Sequence, residues 1–317
     1  MRKSLIALIL TVLAARPAHA QDLLDLLNET EEEPVEYAFA TFKTTRLING
    51  HSVETNSGKE LLFLISHRFG RLNGGASEFF GLDNATIRLG LEYGITDRLG
   101  VGVGRSSFEK LYDGFVKYKV LQQKSGAENF PVTVTLFGSV AIKTLEWPEP
   151  ERENYFSSRM YYTFQTLIAR KFSEGFSLQL SPTLVHRNLV DSLDDANDVF
   201  ALGIGARQKI TGSLSVNAEY FYVFPGQISS PLNGETVQNA LSVGLDLETG
   251  GHVFQLHMTN SRGMVEKLFV TESTGNWLDG DIHFGFNISR VFSLGGSGAK
   301  GEKKEGDTPA KAPPSWE

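Results

Sequence analysis

The sequence predicts an all-β fold: an antiparallel transmembrane β-barrel of about twelve strands. Three observations carry this expectation. Apolar residues recur at every second position between Glu60 and Phe292. Short and long connections alternate along the same span. After the first twenty residues, no apolar run approaches the ~18 residues that a membrane helix needs. Barrel strands need no such run, because they hide their apolar residues in alternation.

The ends read separately. Arg2 and Lys3, an apolar run from Leu5 to Ala15, and the small-residue site Ala18-His19-Ala20 mark residues 1–20 as a secretory signal peptide. Residues 21–35, "QDLLDLLNETEEEPV", form an acidic periplasmic linker with room for one short amphipathic helix. Residues 36–59 precede the first expected strand. A thirteenth strand would break the even count that such barrels prefer, so this segment reads as a lumen plug or inner strap. Residues 293–317 are rich in Gly, Lys and Pro and read as a disordered tail.

Between the ends, the strands follow in order. "ELLFLISHRFG" opens the barrel at Glu60. In the next run Ala85, Ile87, Leu89, Leu91 and Tyr93 share one face, and Thr86, Arg88, Gly90, Glu92 and Gly94 share the other. The return run sets Leu99, Val101 and Val103 against Gly100, Gly102 and Gly104, with "ITDR" as the turn. The alternation continues through Val132–Lys143, Phe176–Leu184, Leu214–Tyr222 and Asp281–Ser289. "ITDR", "SEG", "ITGS" and "ETGG" are short, and "QQKSGAENF" is somewhat longer. "GRLNGGASEFFGLDN", "EWPEPERENYFSS", "NLVDSLDDAND", "PGQISSPLNGETVQ" and "SRGMVEKLFVTESTGNWLDG" are long. Short periplasmic turns and long outer loops give an outer-membrane barrel this rhythm.

Composition removes several function classes. With 37 acidic against 30 basic residues the net charge is −7, which argues against a nucleic-acid partner. With no cysteine, the sequence offers no disulfide and no thiolate metal site. No cofactor or metal is expected. The expected partners are outer-membrane lipid and, through the tails, periplasmic or envelope proteins.

Candidate site residues then follow from parity. Two expected strands end in His-Arg, at His67-Arg68 and His186-Arg187. Both strands rise from the periplasm, so both pairs fall at the outer rim. Each His continues the apolar face and each Arg points inward. Rim arginines suit lipid phosphates or lumen carboxylates, and a paired anion site at the mouth is the sharper alternative. Arg88, Glu92, Lys117, Lys119, Lys143, Arg207, Glu219 and Asp246 all have inward parity. They suit either a salt-bridged interior or a pore whose charges set selectivity. If the last two strands pair, His257 and His283 approach each other, and closure brings Ser66 and Asp281 near. Ser, His and Asp together suggest nucleophilic hydrolysis or a metal site, but one slipped residue would disperse them. "GVGVG" (100–104) lies within a strand and is no phosphate loop; it marks a crowded interior or a bend.

The strings "ISHRFG", "IRLGLEYGITDRLGVGVGRSS", "LVHRN", "GGHVFQLHMTNS" and "GDIHFGFNISRVF" together resemble a family of bacterial outer-membrane β-barrel proteins defined by a domain of unknown function. The resemblance runs from Phe39 to Phe292. It implies a barrel fold and an outer-membrane location, and no activity or catalytic residues. Few aromatics beyond Phe137 have inward parity, which favours a small-solute channel over a filled barrel. An envelope scaffold with a filled lumen and a barrel-mouth lipid hydrolase are the alternatives, and an enzyme is not the leading reading.

Overall fold

The structure is a computed structural model, and it describes residues 34–190 and 192–294. The expected signal peptide, most of the acidic linker and the tail from residue 295 lie outside the described residues. Twelve antiparallel strands close into one barrel. They are β1 (Glu60–Arg71), β2 (Ala85–Gly94), β3 (Leu99–Ser106), β4 (Leu111–Leu121), β5 (Thr133–Lys143), β6 (Met160–Lys171), β7 (Phe176–Arg187), β8 (Asp198–Lys209), β9 (Leu214–Val223), β10 (Ala240–Thr249), β11 (His252–Thr259) and β12 (His283–Ser293). Each strand pairs with its neighbours in the chain, and β12 closes on β1 with Ile288 opposite Ile65. Closure leaves no unpaired sheet edge.

The pleat sorts the side chains as an apolar solvent demands. In β2, Arg88 and Glu92 are buried while Ile87, Leu89 and Leu91 are exposed. An exposed apolar band around a polar interior belongs to a membrane barrel. Among the described residues no helix is long and apolar enough to cross a membrane. The short turns gather at one rim. Between β10 and β11, Gly250 (φ 56°) and Gly251 (φ 80°) both take left-handed backbone, as a two-residue turn matched to strand twist requires. The other rim carries the long loops, except that Ser107–Lys110 spans only four residues between β3 and β4.

The lumen is filled from both ends, where the scarcity of inward aromatics favoured an open one. From the short-turn rim, the segment before β1 enters as a strap. Glu36–Tyr37 first pairs with Lys124–Ser125 of the β4–β5 connection. The chain then runs inside the barrel, reverses at Leu47–Gly50, and bridges Arg46 to His51 on the way back. From the opposite rim the β11–β12 loop folds inward, and every residue of its single helical turn, α1 (Glu266–Thr271), is buried. Apolar contacts join plug to wall: Phe42, Leu47 and Val53 pack with Phe115, Phe137 and Leu167, while Phe269 and Val270 pack with Val185, Val199 and Phe221. The wall itself buries only a few aromatics, Phe115, Phe137, Tyr161 and Phe221, and the plug adds Phe42 and Phe269.

The inward glycines are places where large side chains inside the barrel lie against the wall backbone. A Cβ on Gly102 would lie 2.3 Å from the Phe115 ring, and one on Gly104 would lie 2.3 Å from the Arg88 guanidinium. A Cβ on Gly205 would lie 2.5 Å from Leu47 of the strap. Gly205→Val will therefore push the strap off β8 without breaking the strand ladder. The expected result is faster protease cleavage within residues 41–56, with the folded barrel still resisting SDS at room temperature. Unchanged cleavage would mean the strap has slack at this contact.

Candidate functional site

The strap tip is held by wall side chains that sequence parity alone would assign to an open lumen. Asn49-Gly50 is a turn-forming dipeptide, and it turns the strap at mid-barrel. The Glu219 carboxylate of β9 accepts hydrogen bonds from the backbone N–H groups of Ile48 (3.2 Å), Asn49 (2.8 Å) and Gly50 (3.1 Å). The Asn49 side chain donates to Ser242 Oγ at 2.9 Å and accepts from the Arg68 guanidinium. Gln255 Nε2 donates to the Leu47 carbonyl (2.8 Å) and Asn287 Nδ2 to the Ile48 carbonyl (2.9 Å). Farther along, Gln179 accepts from Val53 N–H at 2.9 Å and donates to the His51 carbonyl at 2.8 Å. Lys117 donates to the Glu54 carbonyl at 2.5 Å. A strap without a sheet partner has its backbone groups satisfied in this way.

Where strap and inward loop meet, charge concentrates. Arg46 Nη1 and His51 Nε2 each lie 3.6 Å from Glu266 Oε1 of α1. Arg46 Nε lies 3.8 Å from Glu92. Arg88 and Asp113 form a fully buried pair, with Nε to Oδ1 at 2.9 Å. His51 packs between the Phe115 and Phe137 rings, with centroids at 4.5 and 4.3 Å. Nearer the outer rim Lys267, fully buried, takes Glu109 (2.7 Å) and Glu272 (2.6 Å) as partners and sits over the Tyr161 ring. Lys143 reaches the same Glu109 at 2.6 Å.

Above α1 the outer loops enclose a vestibule of about 570 Å³. Arg71, at the end of β1, ties its wall together. It donates to Glu235 (2.7 Å) and Thr274 (3.1 Å) and lies 3.4 Å from Asp281. The hydrogen bond from Arg71, and then that from Thr274, hold the Glu235 carboxyl at a pKa of about 2.

Seven of the eight expected lumen charges are buried inside the barrel, where strap and wall take them up in place of an open bore; Lys143, at the outer end of β5, is partly exposed on Glu109. Arg207 donates to the Ala40 carbonyl (3.2 Å), Lys119 lies 3.7 Å from Glu54, and Asp246 accepts from Gln255 (3.0 Å). The two rim arginines do not form a pair. β1 and β7 are six strands apart in a ring of twelve, so Arg68 and Arg187 stand on opposite walls. Arg68 is spent on Asn49, because the strap tip reaches its height, and Arg187 donates to the Ala196 carbonyl at 2.6 Å. Their histidines do lie on the outer face, His67 stacked on Phe286 at 4.9 Å and His186 bonded to Asp198 at 2.7 Å.

Ser66, His257, Asp281 and His283 are not brought together as a relay. His257 stands opposite Gly285, and His283 opposite Thr259, two positions further along. Ser66 stands opposite Asn287. The His283 Nδ1 contacts the Phe69 carbonyl at 2.8 Å, so that nitrogen carries the proton. Asp281 is turned to the rim, where it accepts from Asn73 at 2.7 Å. Among the described residues no group of three metal-ligating side chains forms. Parity missed Arg46, Asn49, His51 and Glu266, which lie outside any strand pattern.

Residues 42–292 match the family described as a membrane bound beta barrel domain (DUF5777). No curated protein matches the chain. Among solved structures, the chain is similar to the NanC porin at 9% identity, covering 73% of this chain and 98% of that one, with a TM-score of 0.44. It is similar to an outer membrane channel from Pseudomonas putida F1 at 13% identity (76% and 98% covered, TM-score 0.45). It is also similar to outer membrane phospholipase A from Escherichia coli at 13% identity (73% and 88% covered, TM-score 0.39). Likenesses this loose say nothing of activity. The family match, over the whole barrel and most of the strap, is of another kind: the chain belongs to the membrane-bound β-barrel domain family of unknown function, DUF5777.

Proposed function

We propose that the protein is a gated small-solute conduit of the outer membrane, closed here by its strap and its inward loop. The observation that carries this reading is the meeting of the two plugs. Arg46 and His51 from one end converge on Glu266 from the other. The strap tip's grip on the wall is largely through hydrogen bonds, which its withdrawal would exchange for bonds to water. The junction is lined by buried polar groups, among them Thr44, Thr45, His51 and Glu266, so water entering it meets polar partners.

Single-channel recording in a planar bilayer tests this. The full chain should be shut most of the time, with brief salt-dependent openings. Glu266→Ala leaves Arg46 with only the more distant Glu92 and unlinks strap from loop, and should lengthen open time about tenfold, a change of ~1.4 kcal/mol. If both folded proteins stay silent, the lumen is a permanent filling, and the barrel serves as an envelope scaffold.

A further inference from the structure

The outer vestibule holds two opposite charges that the fold does not use. Arg262, on the inward loop, stacks its guanidinium over the Phe108 ring at 5.0 Å and has no carboxylate partner among the described residues. Stacking by the face leaves the edge N–H groups free for a carboxylate. Glu78, on the β1–β2 loop, takes only a neutral partner, the Asn84 amide at 3.0 Å, and has no cationic one among the described residues. Every other charge lining the space is paired: Arg71 with Glu235, and Glu272 with Lys267.

The rest of the lining includes asparagine amides. Asn73 and Asn84 commit their NH₂ groups to neighbouring oxygens, which leaves their carbonyl oxygens as acceptors. The volume falls within the range of small-molecule sites.

We infer that this vestibule binds a small zwitterionic solute of the amino-acid or short-peptide class, its carboxylate on Arg262 and its ammonium on Glu78. The asparagine oxygens meet the N–H groups between the two ends. A neutral sugar would leave both charges idle, and a simple anion would face Glu78 uncompensated. The floor of the vestibule, Gly263 and Glu272, belongs to the loop that carries α1, so the occupant sits directly on the plug. The claim that this solute is the one carried rests on the conduit reading; the claim that it binds does not.

The test is isothermal titration of the full-length, detergent-folded protein with trialanine. We expect saturable binding, weakened about tenfold by Arg262→Gln and again by Glu78→Gln, as loss of one charge-assisted contact predicts. Both residues lie on outer loops, so SDS resistance of the unheated variants verifies their folding. N-acetylated, C-amidated trialanine should bind at least tenfold more weakly. The inference is overturned if the capped peptide binds equally, if no trialanine binds, or if glucuronate binds instead in a manner that needs Arg262 and ignores Glu78. Binding by a protein silent in bilayers would sink the conduit and keep the site. Conductance without binding would do the reverse.

Discussion

Glu219→Ala will release the strap tip from the barrel wall. One carboxylate serves three backbone N–H groups at Ile48, Asn49 and Gly50, and it stands near the buried Arg68 guanidinium. Alanine leaves all three donors without acceptors and removes negative charge from the vicinity of Arg68. Orphaned buried donors cost about 1–3 kcal/mol each, and an uncompensated buried charge costs 3–5 kcal/mol. The strap will escape most of that cost by moving out, since its exit leaves the wall hydrated. Amide exchange at residues 45–53 should rise by at least two orders of magnitude, while exchange in β1–β12 barely changes. Glu219→Gln keeps an acceptor oxygen and should fall between. If exchange at Ile48–Gly50 stays slow in the alanine variant, the side-chain bonds of Gln255 and Asn287 suffice, and Glu219 is no anchor.

Asp113→Ala should destabilise the barrel wall itself. Arg88 on β2 and Asp113 on β4 reach across β3 inside the lumen, and both are buried. Gly104 on the intervening strand leaves the space through which they meet, since a Cβ there would strike the guanidinium. Removing the carboxylate leaves a buried cation with only Glu92 and Glu266 nearby, a loss of about 3–5 kcal/mol. The expected readout is a fall of several degrees in the temperature at which the SDS-resistant form converts to the slow-migrating one. Arg88→Met with Asp113→Ala should recover much of the loss, because an empty pair costs less than a broken one. A double variant no more stable than Asp113→Ala would show that Arg88 is satisfied elsewhere.

The sequence carried the wall almost completely. Period-two alternation identified the inward set, and Arg88, Glu92, Lys117, Arg207, Glu219 and Asp246 are all buried on that face or half-covered by it. Loop length gave the two rims, and the even count gave closure on β1. The GVGVG run marked a crowded interior or a bend, and crowding is what stands there: glycine at inward positions faces something large. Gly102 and Gly104 face Phe115 and Arg88, and Gly205 faces Leu47. Phe115 and Phe221 sit among polar inward residues and add little to a visible aromatic pattern.

The plug was legible only in outline. Strand periodicity works because the membrane imposes one rule on every second residue, and local sequence records it. The strap and α1 obey no such rule. Their residues are mostly polar, they form no ladder with the wall, and their partners lie far along the chain, as Asn49 and Ser242 do across 193 positions. The same holds for the vestibule, where Glu78 and Arg262 face one space only because β12 closes on β1. The membrane solvent writes the barrel into the sequence residue by residue. What fills the barrel is chosen by charge and shape complementarity across the closed ring, and that exists only once the ring has closed.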